Sequence, residues 1–230
     1  MPLDRMEVFF SILIFMARIK KGILGGVSGR LGNVIGGSWK GVDYLRSLPS
    51  GGRKDATAAQ LQVRHSFRMA VNFLKPFTEV VRIGFAPQTA QKTAFNAAVS
   101  LFIKNAITGT YPDLEVDYSQ IRLSQGTLPI PETFTLASSS AGQIGLTWTP
   151  LGGQPTDKLV VAAWCAETGE GFYHLAAAER QDGTAQLGIP TYLSGKLFHV
   201  YAFFVSAYPL GSGKTGSISN SVYAGSVTLG

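Results

Sequence analysis

Few residues in this chain combine the type and spacing that chemistry requires. The single cysteine, Cys165, lies in the apolar run Leu159-Val160-Val161-Ala162-Ala163-Trp164-Cys165. That context makes it a small buried hydrophobe rather than a nucleophile, which would need a histidine and an orienting group beside it. One cysteine also excludes an intramolecular disulfide and a thiolate zinc cage. The three histidines, His65, His174 and His199, have neither i, i+4 nor alternate-residue partners, so no metal pair is expected from them. Asp113, Glu115 and Asp117 alternate and would share one face of a strand. Without a glycine-containing calcium loop around them, a solvated sheet edge that discourages aggregation is the expected role.

The segment Tyr208-Pro209-Leu210-Gly211-Ser212-Gly213-Lys214-Thr215 ends like a phosphate-binding loop. The pattern needs glycine where Tyr208 stands, and a helix N-terminus to receive the phosphate. The following Ser217–Tyr223 reads as a strand instead. Gly211, Gly213 and Gly216 fit a dinucleotide-type glycine spacing and fail for the same reason, so a hairpin loop is expected there. No catalytic residue, cofactor site or metal site is assigned, no small-molecule substrate is expected, and the chain is read as a non-enzyme.

The elements that could position an interaction are more informative. Over residues 17–68 ten Lys and Arg stand against two acids, a net charge of +8, whereas residues 128–230 carry four against six, a net −2. A basic arm on a mildly acidic body suits docking on an anionic partner or on the acidic face of a neighbouring copy. Residues 17–54 are punctuated by glycines with isolated apolar groups between them. Several glycines stand four apart, but Lys, Arg and Ser interrupt the apolar stretch that a membrane-helix motif needs. Short twisted strands with tight turns fit this arm better than a helix, in which each glycine costs about 1 kcal/mol relative to alanine. Lys20, Lys21, Arg30, Trp39, Lys40, Tyr44 and Arg46 are its candidate interaction residues. Aromatics interleaved with cations also suit a platform for single-stranded nucleic acid, which is the alternative reading.

Thr57-Ala58-Ala59-Gln60 reads as a capping box. Val63, Phe67, Ala70, Leu74, Phe77 and Val81 then recur at helical spacing on one expected apolar face, which Pro76 should kink or break near Leu74. A second helix is expected from Thr89 to about Thr108, ended by Gly109 and followed by Pro112. Ile121 and Leu123 then alternate with Arg122 and Ser124, and Pro129-Ile130-Pro131 reads as a stiff linker. Strands are expected at 133–138, 143–149, 158–165, 171–179, 184–189, 196–207 and 219–229, the spacing of a β-sandwich. The 27 glycines and a charged fraction of only 15% favour β structure, and the 45% hydrophobic content supplies a core.

The expected class is therefore α+β: a Gly-rich β arm and a two-helix hairpin, then a seven-stranded immunoglobulin-like sandwich. The expected domains are 1–15, 16–127 and 128–230. Residues 1–15 hold the apolar run Val8–Phe15, which has the reverse of a signal peptide's charge order and falls far short of a membrane span. They read as an extension upstream of a start at Met16, with a short apolar membrane anchor as the alternative, and with no cleavable signal peptide and no transmembrane span. A cytoplasmic or virion-associated location follows more readily from this than classical secretion.

Three stretches, Ile19–Gly36, Ser38–Gly41 and Arg46–Pro49, resemble a family of uncharacterised bacterial proteins best known from Bacteroidota. Thr57–Leu61, Phe95–Ala98, Ala106–Pro112 and Ser219–Ser226 agree with it. The resemblance implies a domain of unknown function whose C-terminal region is fibronectin type III-like or immunoglobulin-like. The arm and first helix are also loosely similar to small phage-associated proteins. A structural or assembly role, with a protein partner or self-association, is the function these likenesses favour.

Overall fold

The computed structural model describes residues 18–19, 26–48, 55–88, 92–131, 133–139, 142–206 and 217–230. The chain divides into two compact units between Asp55 and Ala56. Residues 1–17, Lys20, Lys21 and the glycine-rich loop at 211–216 lie outside the described residues.

In the first unit, glycine spacing produces a β-meander. Strands β1 (Arg18–Ile19), β2 (Val27–Leu31), β3 (Val34–Trp39) and β4 (Val42–Ser47) form one antiparallel sheet in that order. The β3–β4 turn has two positive-φ residues, Lys40 at 49° and Gly41 at 81°. This is the backbone hand that matches the twist of a two-residue hairpin.

The second unit begins with the helices. Thr57 caps α1 (Ala58–Leu74): its hydroxyl accepts from the Gln60 N–H, and the Gln60 side chain accepts from the Thr57 N–H. Pro76 cannot continue that helix, and α2 (Thr78–Gly84) starts afresh after it. The next helix, α3 (Ala94–Asn105), is capped by Thr93 and is shorter than the expected 89–108; residues 89–91 lie outside the described residues. Its expected last turn is instead strand β5 (Ile107–Thr110), paired with β6 (Asp113–Val116). Gly109, at φ 82°, sits inside that hairpin rather than capping the helix. A Cβ there would fall 2.2 Å from the Asp113 carbonyl oxygen, so close strand approach explains the glycine.

Among the described residues, seven further strands build two facing sheets. The first has the order β10 (Glu170–Glu179), β9 (Lys158–Cys165), β12 (Leu197–Val205), β13 (Val222–Thr228). The second has the order β11 (Thr184–Gly188), β8 (Gln143–Trp148), β7 (Phe134–Ser139). All these pairings are antiparallel. Ile144, Leu146 and Trp148 face Leu159, Val161, Phe198, Val200 and Phe204 across a sandwich core.

The alternate residues of the same central strands turn the other way. Val160, Ala162 and Trp164 of β9 and Tyr201, Phe203 and Val205 of β12 pack against Phe73, Phe77 and Phe102 from the helices. The unit thus has three layers, helices on a four-stranded sheet on a three-stranded sheet. The expected boundary at 127/128 runs through this shared core, and the helices belong with the sandwich. Pro129-Ile130-Pro131 is correspondingly no free linker, since the Pro129 carbonyl accepts from buried Arg180. The 121–124 segment departs from its expected alternation too. Ser124 is buried with Ile121 and Leu123 because its hydroxyl donates to the Ser219 carbonyl, while the Ser221 hydroxyl accepts from the Leu123 N–H at 2.8 Å.

Candidate interaction face

Antiparallel register decides which arm residues meet. Arg30 pairs with Ile35, Ile35 with Arg46, Gly37 with Tyr44, and Trp39 with Val42. Side chains of paired residues share a face, and the face alternates along each strand. Arg30, Trp39, Tyr44 and Arg46, four of the candidate interaction residues, therefore lie on one face of the meander. Trp39 is 54% exposed and Tyr44 48%. Lys40 belongs to the adjoining turn, with its ammonium nitrogen 5.3 Å from the centre of the Trp39 ring, within cation–π range. The Tyr44 ring lies across Gly37, where a Cβ would fall 3.0 Å from its Cζ and hydroxyl oxygen. Glycine at that position gives the ring room to lie flat on the sheet.

The opposite face was not singled out by sequence reasoning. It carries Leu31, Val34 and Leu45, all exposed, with Leu45 at 64%. The signal was present in the sequence, since these aliphatic residues alternate with the basic and aromatic ones. The register was needed to make two faces out of it. None of the buried apolar side chains of the described residues comes from 26–48. A sheet of this size with no core of its own is marginal in water.

The chemistry-bearing residues of the second unit have separate surroundings. Cys165 is a buried free thiol within β9. His65 meets the Tyr111 ring edge-on. The His174 Nδ1 accepts from the Ala176 N–H. His199 stacks on Tyr118 at 3.9 Å between ring centres and shares a 2.9 Å hydrogen bond with the Tyr223 hydroxyl. Burial lowers the His199 pKa below the ordinary histidine value and raises that of Tyr223. The phenol of Tyr201, which donates to the Tyr118 carbonyl, is pushed above its ordinary value by the same cause. Asp117 turns the chain after β6, its carboxylate accepting from the Ser119 N–H and hydroxyl. Among the described residues no three or more of His, Cys, Asp and Glu come together in a group able to hold a metal ion. No helix among them is long and apolar enough to cross a membrane.

A different polar cluster escaped the sequence reading. Arg180 is 2% exposed. Its guanidinium donates to Asp157 at 3.1 Å, to the Pro129 carbonyl at 2.8 Å and to the Leu151 carbonyl at 3.3 Å. It also lies 3.9 Å from the centre of the Phe204 ring. The Arg180 carbonyl accepts from the indole N–H of Trp148. Each of the three guanidinium nitrogens donates to a group of the protein, which makes the arginine structural.

Residues 26–225 match the Family of unknown function (DUF6266). The chain belongs to that family. No curated protein matches this member in sequence. Among the solved structures similar to part of it are two with fibronectin type III domains. The first is the chicken CNTN1 FN1–FN3 domains, 10% identical over 46% of this chain and 33% of that one, with a TM-score of 0.31. The second is the fn3 domain of human collagen alpha-1(XX) chain, 21% identical over 46% of this chain and 84% of that one, with a TM-score of 0.29. The chain thus spans about a third of the length of the first. In this member the sandwich is formed by the antiparallel pairing of β7 to β13.

Proposed function

We propose that this protein is a non-catalytic interaction protein in which the 27–47 meander is the docking element. The helix-backed sandwich acts as its spacer or adhesive body, in an assembly of phage-derived or surface type. The carrying observation is the exposure of both meander faces: Trp39 and Tyr44 with Arg30 and Arg46 on one side, Leu31, Val34 and Leu45 on the other. Aromatic and arginine side chains are the residues that anchor protein interfaces, and a small sheet that fully buries none of its apolar side chains gains most from a partner. A protein, a second copy of this chain included, is the expected occupant. Light scattering on the intact chain and on one lacking residues 17–54 tests this. A larger assembly that shrinks to single-chain mass on deletion supports the reading, and single-chain mass in both overturns its assembly version.

One observation favours a second reading. Two exposed rings on the same face as two arginines form the kind of stacking platform that single-stranded nucleic acid uses. Titration with single-stranded DNA at increasing salt separates the two, because phosphate binding must weaken steeply as salt rises.

A further inference from the structure

From the register of the meander we infer that β4 is a pairing edge for a second copy of the same chain, joining two meanders into one continuous sheet about a two-fold axis. The inference rests on the docking role proposed above and names its partner. No described strand pairs with the outer side of β4, and all six of its residues are exposed.

The hydrogen-bond phase shows which groups face outward. The Leu48 N–H donates to the Asn33 carbonyl at 2.7 Å. Antiparallel ladders alternate between bonded and non-bonded pairs, so the pairs 35/46, 37/44 and 39/42 are bonded across β3 and β4. The N–H and C=O groups of Asp43, Leu45 and Ser47 therefore point away from β3.

A two-fold axis normal to the sheet keeps each face on its own side, so residue numbers opposite one another must sum to an even value. Centring the axis on Leu45 places Leu45 opposite Leu45 and Asp43 opposite Ser47. Each outward-pointing group of the strand then gains a backbone partner. The same register sets Tyr44 opposite Arg46 on the aromatic face, a cation–π pair made twice, and joins the aliphatic faces through the two Leu45 side chains. Moving the axis one residue towards the C-terminus would oppose Arg46 to Arg46. Moving it one residue the other way would oppose Asp43 to Leu45 and bring the Gly41 turn into the ladder. The strand itself carries one acid and one base, Asp43 and Arg46, and this register places neither opposite its own copy. Native sheets usually blunt a long exposed edge. This one is self-complementary, and the two-fold closes at a dimer rather than a filament.

Cross-linking with the full chain tests the register. Paired residues at the axis have Cα atoms about 5.5 Å apart, within disulfide reach. Ser38, on the same face but one strand further in, pairs with Asp43 and would lie about 20 Å from its counterpart, three strand spacings across and four residues along. Under mild oxidation Leu45→Cys should give a covalent dimer at least about tenfold faster than Ser38→Cys, and buried Cys165 does not compete. Leu45→Pro removes an outward N–H that β3 does not use, and should return the dimer to single-chain mass in light scattering. Equal cross-linking of the two cysteine variants, or a dimer that survives Leu45→Pro, overturns this pairing while leaving a meander-dependent assembly standing. An intact chain of single-chain mass overturns both.

Discussion

Removing the carboxylate of Asp157 isolates the charge of Arg180 inside the sandwich. Both side chains are almost wholly excluded from solvent, at 2% and 1% exposure. Breaking a buried pair from one side costs about 3–5 kcal/mol, because the remaining ion keeps its desolvation penalty without its counter-charge. For Asp157→Ala the lower end applies. Arg180 keeps the Pro129 and Leu151 carbonyls and the Phe204 ring as neutral partners, so a loss of about 3 kcal/mol is expected. For a chain of this size that is a fall in Tm of about 6–12 °C. The reverse variant, Arg180→Met, strands Asp157, which keeps only the Gln154 N–H at 2.8 Å. The double variant Asp157→Leu with Arg180→Met replaces the pair by apolar volume and should recover most of the loss. Urea unfolding of the three variants gives the coupling directly. Strictly additive single losses, or a loss below about 1 kcal/mol for Asp157→Ala, would show that the pair does not carry the charge as argued.

Three further perturbations probe how the layers are held. Thr57→Ala removes the hydroxyl that accepts from the Gln60 N–H, leaving the backbone N–H of residue 57 on the Gln60 side chain, and should cost about 1 kcal/mol in urea unfolding; Thr57→Ser should restore it. At Gly171 an added Cβ would fall 2.6 Å from Cζ of the buried Phe77 ring and 2.9 Å from Pro76, so Gly171→Ala should destabilise by about 1–3 kcal/mol through overpacking, read as a lower urea midpoint. His199 supplies a pH dependence of definite sign. Its folded pKa lies below the ordinary value because of burial, so the folded state resists a proton that the unfolded chain accepts. Its contribution to stability is complete above about pH 6.5 and is lost as the pH falls through the depressed folded value. His199→Gln should remove most of the fall in Tm between pH 7 and pH 5; an unchanged slope would exclude His199 as its source.

Much of the second unit was legible because local chemistry and tertiary packing agree there. The capping box at Thr57 and Gln60 marks where α1 begins, and Pro76 marks its end. The strand ranges differ from expectation by a few residues at most, the larger differences lying at the ends of the last two. What local patterns did not convey was the burial of β9 and β12 on both faces. Leu159–Cys165 and Val200–Val205 are continuous apolar runs rather than alternating ones, which is the mark of a strand covered on both sides. Periodicity misled in the first half of α1. Val63 and Phe67 share a stripe with Ala70 and Leu74, yet they are 67% and 54% exposed, because the core reaches only the later turns of the helix. The Arg180–Asp157 pair was invisible for another reason. Its members are 23 residues apart, and their meeting depends on the path of β9 and β10.

The same double coverage bears on which surfaces of this protein are open to a partner. An isolated sandwich offers two sheet faces and its edges for recognition. In this chain the outer face of the four-stranded sheet is occupied by Phe73, Phe77 and Phe102, so aromatic surface that would make an adhesive patch elsewhere is spent on internal packing. The first unit is the converse. Its apolar and aromatic side chains lie outside any core, and its glycines admit close strands and a flat Tyr44 ring without supplying burial of their own. Stability in the one and exposure in the other are complementary consequences of composition: bulky residues run continuously through β9 and β12, and glycine separates them in β2 and β3. A substitution that weakens the body should therefore lower Tm with little effect on association, whereas Leu45→Pro should abolish association and leave the body's Tm in place.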